Sequence, residues 1–173
     1  MPDLITHGSV GLLLGMAVAG RCRAPLLPLF VAGNLLPDVL SRLPGILMGE
    51  LNNRFPHVPA LLLYGWEPFH QPFGAGLASL ALALLLPPAQ RLRAFALLWS
   101  GMLLHLLLDL TQFHEGAGCM LLFPLDTRPF ELGWVSSEAC VYVALPLALL
   151  AVLASLARRR VLAASAPSPR TSG

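Results

Sequence analysis

The sequence predicts an all-α, polytopic membrane protein, a bundle of about five transmembrane helices with two ordered outer loops; four helices is the alternative count. Of its 173 residues, 56% are hydrophobic and only 12% are charged, whereas a soluble domain carries about 25% charged residues. The mean hydropathy is +0.72. We expect one membrane-embedded helical domain over 1–157 and a basic, flexible cytoplasmic tail over 158–173.

Five apolar segments are candidate spans: roughly 4–20, 25–40, 73–88, 92–112 and 139–157. A spanning helix needs about 20 residues, which the fourth and fifth segments reach and the first approaches. The second and third are short and contain prolines, which favour tilted, kinked or partly inserted helices. The outer loops, about 41–72 and 113–138, are rich in proline, glycine and aromatic residues rather than charge.

The first apolar segment resembles a signal peptide only superficially. It opens with MPDLITHG, which contains Asp3 and no basic residue, whereas a signal peptide begins with a positively charged region. Arg21 and Arg23 follow the apolar stretch instead. The segment therefore predicts a retained first helix.

The arginines predict the orientation of the bundle. Seven of the eleven lie at Arg21 and Arg23, at Arg91 and Arg93, and at 158–160, and five spans would place all seven on one side. By the positive-inside rule that side is the cytoplasm, and the acidic residues fall on or toward the other side. We expect the N-terminus outside and the C-terminus in the cytoplasm.

Several functional classes have little support. All eleven basic residues are arginine. They form no basic face of the kind that would indicate nucleic-acid binding. Cys22, Cys119 and Cys140 form no CxxC pair, so neither a zinc ribbon nor a thioredoxin-like site is indicated. A disulfide between Cys119 and Cys140 is one alternative, and two packed free thiols is the other.

One polar stripe interrupts the fourth apolar segment. Gly101, His105, Asp109 and Gln112 share one face at 3.6 residues per turn. An ionisable residue at the centre of a membrane helix costs about 2.5–3.5 kcal/mol, so such residues are candidates for a functional site. The alternative is a buried histidine–aspartate hydrogen bond that fixes helix packing.

Three more polar residues belong to the same predicted end of the bundle. His7 begins helix 1 above a small-residue stripe at Gly11 and Gly15, Asp38 ends helix 2, and His70 precedes helix 3. Each has a simpler interpretation: a histidine at a helix end, a turn or N-cap aspartate, and a loop histidine. Together with His105 and Asp109 they form a plausible metal-ligand set for zinc, or for manganese if more oxygens join.

The order of the motifs THGSVGLLLG, LLPDVLSR, PFHQPFGAG, LLHLLLDLTQ and LLFPLD resembles the YdjM-like family. Its members are small bacterial inner-membrane proteins regarded as metal-dependent hydrolases, and some are described as LexA-regulated. The resemblance covers about 4–130. The matching positions are Thr6-His7, Leu36-Pro37-Asp38, His105 with Asp109, and Phe123-Pro124-Leu125.

Two elements depart from the family pattern. The family commonly has His-Arg-Gly-x-Thr-His-Ser, of which only the last histidine has a counterpart, His70; Gly65 stands at the first. An acid often follows Leu-Pro-Asp, where Ser41 and Arg42 stand here. Both departures remove candidate ligands for a second metal. Weaker candidates for these vacancies are Glu67, His114, Asp126 and Glu138.

These features favour a membrane-bound metal-dependent hydrolase that acts on an ester or phosphoester at the headgroup level of the outer leaflet. His7, Asp38, His70, His105 and Asp109 would bind the metal, and Asp109 or Asp38 would take the proton of the bound water. The hydrolase activity is implied by the resemblance. The alternative is a non-catalytic membrane protein with a structural metal or a buried polar packing site. The expected partners are the bilayer and a lipid or lipid-linked substrate.

Overall fold

The computed structural model describes residues 3–19, 27–55, 57–113, 118–136 and 139–164. The protein is mostly helical, as predicted. The helices are α1 (Asp3–Ala19), α2 (Leu27–Pro37), α3 (Leu43–Arg54), α4 (Ala60–Tyr64), α5 (Pro72–Leu84), α6 (Pro88–Leu110) and α7 (Cys140–Ala164). A π-helical segment (Asp38–Arg42), a 3-10 turn (Glu67–His70), and strands β1 (Gln112–Phe113) and β2 (Val135–Ser136) complete the order.

Helix α2 does not end at Asp38. It passes through the π-helical segment into α3, with helical dihedral angles at both junctions. The expectation that Asp38 ends helix 2, and that a loop begins near residue 41, is therefore wrong. A turn at Asp38 was expected because Pro-Asp is typical of turns, and proline lacks an N–H donor and crowds the preceding turn. Here Pro37 and Pro44 both lie inside a continuous helix that contains a π-helical turn. Prolines and π-helical turns are both usual causes of a kink in a helix that nevertheless continues.

Two of the described helices are long and apolar enough to cross a membrane, Pro88–Leu110 and Val141–Ala164. Helices Leu4–Val18 and Pro72–Leu84 are apolar but shorter. The count of five spans is thus not confirmed. Helix α7 continues past residue 157 to Ala164. The arginines at 21 and 23 and the tail from 165 onward lie outside the described residues.

Helix α2 occupies the middle of the bundle. It packs against α6 on one side and α1 on the other, while α5 packs against α6 and α7 packs against α1. Along α7, Ala144 and Ala151 are buried, whereas Leu145, Leu149 and Leu153 are more than half exposed. This leucine-covered outer face suits contact with lipid chains.

Glycines allow the helices of the bundle to approach closely. A Cβ added to Gly33 would collide with the backbone of Leu98, and one added to Gly101 would collide with the backbone carbonyl of Phe30. Gly11 and Gly15 face side chains of α2 in the same way. The predicted small-residue stripe of helix 1 is therefore confirmed at these two positions. Helix α2 approaches α6 almost backbone to backbone, whereas its side chains fill the space at the glycines of α1.

The segment after α6 folds back onto the end of that helix. β1 pairs with β2 in parallel, and Cys119 forms an antiparallel bridge with Phe130. The Leu132 N–H donates to the Leu110 carbonyl at 2.7 Å. These bonds give the second predicted outer loop an ordered structure. Helix α6 ends at Leu110, so Gln112 lies in β1 and not on the helical stripe predicted for it.

We expect the substitution Gly101→Ala to destabilise the bundle. The new methyl group would meet the α2 backbone, which cannot rotate away, and overpacking of this kind costs about 1–3 kcal/mol. Gly49→Ala is the matched control, because Gly49 is helical and has no atom within 4 Å of an added Cβ; there the gain in helix propensity, up to about 1 kcal/mol, acts alone. Melting temperatures in detergent should fall for the first variant and not for the second. Equal melting temperatures would contradict the close crossing.

Candidate metal centre

Five polar side chains from four parts of the chain meet at one end of the bundle. His7 comes from the first turns of α1, Asp38 from the π-helical segment and His70 from the 3-10 turn. His105 and Asp109 lie one turn apart near the end of α6. All five are buried; His7 and His105 are wholly inaccessible to solvent. The structure thus brings together the five residues that the sequence predicted as metal ligands.

Asp109 lies at the centre of this cluster. Its Oδ1 is 3.2 Å from His7 Nε2, and its Oδ2 is 2.6 Å from His70 Nε2 and 3.4 Å from His105 Nε2. Asp38 joins from the other side, with Oδ1 3.8 Å from His105 Nε2. A carboxylate removed from water requires such partners, because an isolated buried charge is very costly.

The hydrogen bond of His105 fixes how its ring can act. Its Nδ1 lies 2.8 Å from the backbone carbonyl oxygen of Asn34, an acceptor, so Nδ1 carries the proton. The other nitrogen, Nε2, then points its lone pair toward Asp109 and Asp38. A lone pair facing two carboxylates is repulsive unless a cation, either a proton or a metal ion, lies between them. A metal-binding histidine characteristically has its second nitrogen bonded to a carbonyl in this way.

The histidine rings pack against one another. The rings of His7 and His105 are stacked with centroids 4.0 Å apart, and the ring of His70 meets that of His105 edge-on at 5.0 Å. Three protonated imidazoles this close would repel each other. The Nε2 atoms of all three rings lie within 3.4 Å of an Asp109 oxygen, and imidazole nitrogens that converge in this way are common metal ligands.

Two of the nitrogen–oxygen separations fit ligands of one divalent ion, whereas the 2.6 Å between His70 Nε2 and Asp109 Oδ2 is a hydrogen-bond distance. His7, His105 and Asp109 form one possible ligand group, and Asp38, His70 and His105 form another, each with ligand atoms within 4.8 Å of one another. Ligands about 2.0–2.2 Å from a tetrahedral zinc lie about 3.4 Å apart, close to the His7–Asp109 and His105–Asp109 distances. The buried histidine–aspartate group could therefore hold a metal ion.

Arg42 reaches the cluster from the π-helical segment. Its Nε lies 3.2 Å from Asp38 Oδ1 and its Nη2 lies 3.6 Å from Asp109 Oδ2. Sequence reasoning saw Arg42 only as the replacement for an expected acid. Its spacing of four residues from Asp38 was the signal that both side chains face the same way.

Asn34 and Gln71 hold the surroundings of the cluster in place. The side-chain Nδ2 of Asn34 donates to the backbone carbonyl of His7. The backbone carbonyl of Asn34 accepts from His105 Nδ1. Gln71 Oε1 accepts from the Met120 backbone N–H at 2.8 Å and from the Cys119 thiol at 3.4 Å. Asn34 thus links α1, α2 and α6, and Gln71 attaches the loop after α6. Neither role was predicted.

A cavity of about 880 Å³ opens onto the cluster. His70 and Asp109 form its inner end together with Arg42, and Ile46, Tyr64, Met120 and Phe123 form much of its apolar wall. A closed structural metal site would have no such opening. A small molecule entering the cavity would meet the carboxylate of Asp109 directly.

The weaker candidates have different positions. Glu67 lines the cavity at an exposed position. Asp126 is partly exposed and paired with Arg128, whose guanidinium lowers the pKa of the Asp126 carboxyl. His114 and Glu138 lie outside the described residues, and Gly65 follows α4 in a turn. Of these, Glu67 alone adjoins the cavity among the residues that the structure describes.

A family model described as YdjM inner membrane protein matches residues 1–168 of the chain. The chain belongs to this family. No curated protein and no solved structure matches it. Family membership makes a bilayer environment the natural setting for this chain, and it agrees with the apolar outer faces of its helices.

Cys119 is a free, buried thiol beside the cavity. Burial, together with the negative charge of Asp109, raises its pKa to about 11. Cys22 and the side chain of Cys140 lie outside the described residues.

We expect Cys119 to resist alkylation in the folded protein, because the thiolate is the nucleophile. A Cys22→Ser, Cys140→Ser variant isolates this thiol. The rate of its alkylation by iodoacetamide should be slow at pH 8 and should rise up to about pH 11. At pH 8 the rate should increase when the protein is unfolded in sodium dodecyl sulfate. Rapid alkylation of the folded protein at pH 8 would contradict the burial of the thiol.

We expect Asn34→Ala to weaken zinc binding by about 10–100-fold, the usual effect of removing a group that orients a ligand. The substitution removes the hydrogen bond from Asn34 to the His7 backbone carbonyl, but it changes none of the predicted ligand residues. Asn53→Ala, an exposed position in α3, is the control. Competition with a fluorescent chelator measures both affinities, and equal values would mean that Asn34 does not position His7.

Proposed function

We propose that this YdjM family member is a metal-dependent hydrolase of the bacterial inner membrane, acting on an ester or phosphoester at the headgroup level of the outer leaflet. The observation that supports it best is the buried cluster of three histidines and two aspartates at the inner end of an open cavity. A bound divalent ion would supply Lewis-acid polarisation and a water that ionises near neutral pH.

Zinc is the metal that the ligand set favours. Three imidazoles with one or two carboxylates resemble catalytic zinc sites, which keep a position open for water or substrate. Manganese is the alternative if further oxygen ligands take part. His7 and His105 would hold the ion from the dry side of the cluster, and His70 from the cavity side.

The two aspartates divide naturally between binding and proton transfer. Asp109 lines the cavity, so a water molecule there would come within reach of its carboxylate. Asp38 adjoins His105 and Arg42 and is not among the cavity-lining residues. We therefore assign proton acceptance to Asp109 first and to Asp38 second; whichever does not accept the proton serves as a ligand.

The proposed topology keeps five spans, with the N-terminus outside and the C-terminus in the cytoplasm. His7 near the start of α1 and Asp109 near the end of α6 then lie toward the outer surface. Arg91 and Arg93 at the start of α6, and the arginines 158–160 near the end of α7, lie toward the cytoplasm. These five arginines outnumber Arg42, Arg54 and Arg128, which lie on the outer side, and the positive-inside rule describes a bias of this kind.

The alternative function is a non-catalytic protein in which the cluster holds helices together. The stacked, fully buried His7 and His105 favour it, since both tie α1 and α6 to α2. The cavity beside Asp109 argues against it, because a structural site would be closed by four protein ligands.

Metal content is the first test. We expect protein purified in detergent without a chelator to carry about one or two zinc or manganese ions per chain, and the double variant His105→Ala, Asp109→Ala to carry none. The variant His57→Ala, Glu50→Ala, which removes an exposed histidine and an exposed acid away from the cluster, should keep the metal. Elemental analysis gives the counts. Absence of metal from the wild type would refute the hydrolase proposal and leave a buried packing network.

Asp109→Asn separates an enzyme from a structural site. The amide keeps the shape of the side chain but cannot take a proton, so an enzyme should stay folded and lose hydrolysis of a panel of lipid esters and phosphoesters. A structural site should instead lose metal and melting temperature together. No hydrolysis by the metal-loaded wild type across the panel would remove the support for catalysis.

A further inference from the structure

We infer that the cavity binds the phosphate group of a phosphoester and that Arg42 is the residue that contacts it. This assignment rests on the proposed function, whose substrate it narrows from esters in general to an anionic phosphoester. It depends on the position of one guanidinium between the ligand cluster and the cavity.

Arg42 is well placed to bind an anion that also reaches the cluster. Its guanidinium contacts Asp38 and Asp109 through Nε and Nη2, while the residue also lines the cavity. Its side chain is 32% exposed, against 5% for Asp109. A guanidinium has five N–H donors, so donors remain for a ligand after the two carboxylate contacts. Arginine binds phosphate strongly because its planar fork matches two phosphate oxygens.

The charges around the inner end of the cavity favour an anion. Two carboxylates offset a divalent ion, and the Arg42 guanidinium then leaves one positive charge. Glu67 also lines the cavity, but it is exposed, where solvent and salt screen its charge. A neutral carboxylic ester would leave the positive charge of the metal-loaded site without a partner, whereas a phosphoester would neutralise it.

The walls of the cavity fit an apolar group attached to the phosphate. Ile46, Tyr64, Met120 and Phe123 line it, and Ile46 and Tyr64 are 47% and 66% exposed. Exposed Leu43 and Leu47 continue this apolar surface along α3. A charged inner end and an apolar wall together match an amphiphilic phosphoester, with its phosphate at Arg42 and its chain along α3.

Binding of hexylphosphonate, which cannot be hydrolysed, tests the assignment without requiring turnover. The zinc-loaded protein in maltoside detergent would be titrated calorimetrically with hexylphosphonate, with its neutral dimethyl ester and with inorganic phosphate. We expect Arg42→Gln to weaken hexylphosphonate binding at least about tenfold, the usual loss for a hydrogen bond between charged groups. Arg54→Gln, an exposed arginine on the same continuous helix, should bind as the wild type does.

Metal content is measured for each variant to separate the anion contact from metal binding. Removing a cation beside two carboxylates should leave zinc binding unchanged or tighter. Equal affinity of wild type and Arg42→Gln for hexylphosphonate, or wild-type binding of the dimethyl ester as tight as that of hexylphosphonate, would overturn the inference. If Arg42→Gln does not fold, Arg42→Lys replaces it; loss of the planar fork should then weaken binding several-fold, and unchanged affinity would overturn the role of the guanidinium.

The ligands also distinguish two sources of phosphate. Tighter binding of hexylphosphonate than of inorganic phosphate supports a lipid-like phosphoester, and equal binding supports a small soluble one. Phosphonate binding that depends on Arg42, without hydrolysis of any phosphoester, would leave this inference standing while the hydrolase proposal fails. Hydrolysis of carboxylic esters, without phosphonate binding that depends on Arg42, would support the hydrolase proposal and overturn this inference.

Discussion

The burial of the Asp109 carboxylate is the constraint on which the rest of the structure depends. A charge inside an apolar helix bundle is tolerated only when hydrogen bonds and cations surround it. His7, His70, His105 and Arg42 all turn toward this carboxylate. They come from separate parts of the chain, so α1, the π-helical segment, the 3-10 turn and α6 must meet at one place. The assembly of the histidine–aspartate cluster and the packing of the helices therefore depend on each other.

Close helix crossings make that solution possible. Gly33 and Gly101 bring the backbones of α2 and α6 together, and only then can the Asn34 carbonyl reach the His105 ring. The side-chain amide of Asn34 in turn holds the first turns of α1 by donating to the backbone carbonyl of His7. Small residues at the crossing and polar residues at the end of the bundle thus act together. The small residues bring the helices close together, and the polar residues then fix the His105 ring, which faces both carboxylates.

The irregular parts of the chain give the cluster access to the outside. The π-helical turn places Asp38 and Arg42 beside the end of α6 while the helix continues into α3. Gln71 attaches the loop after α6 through Met120, and this loop forms part of the cavity wall. π-helical turns are often found at functional sites for this reason: they redirect side chains without ending a helix.

The sequence by itself determined the helical membrane class, the polar face of α6 and the identity of the five clustered residues, because composition, helical period and the cost of buried charge are local properties. The tertiary structure decided what depends on neighbours in space. It carried α2 through Pro37 and Pro44 into α3, removed Gln112 from the helical face, and placed Arg42 against both carboxylates. A proline signals a helix end only when no packing holds the next turn in place, and a surface arginine becomes part of a site only when a second helix brings an acid to it.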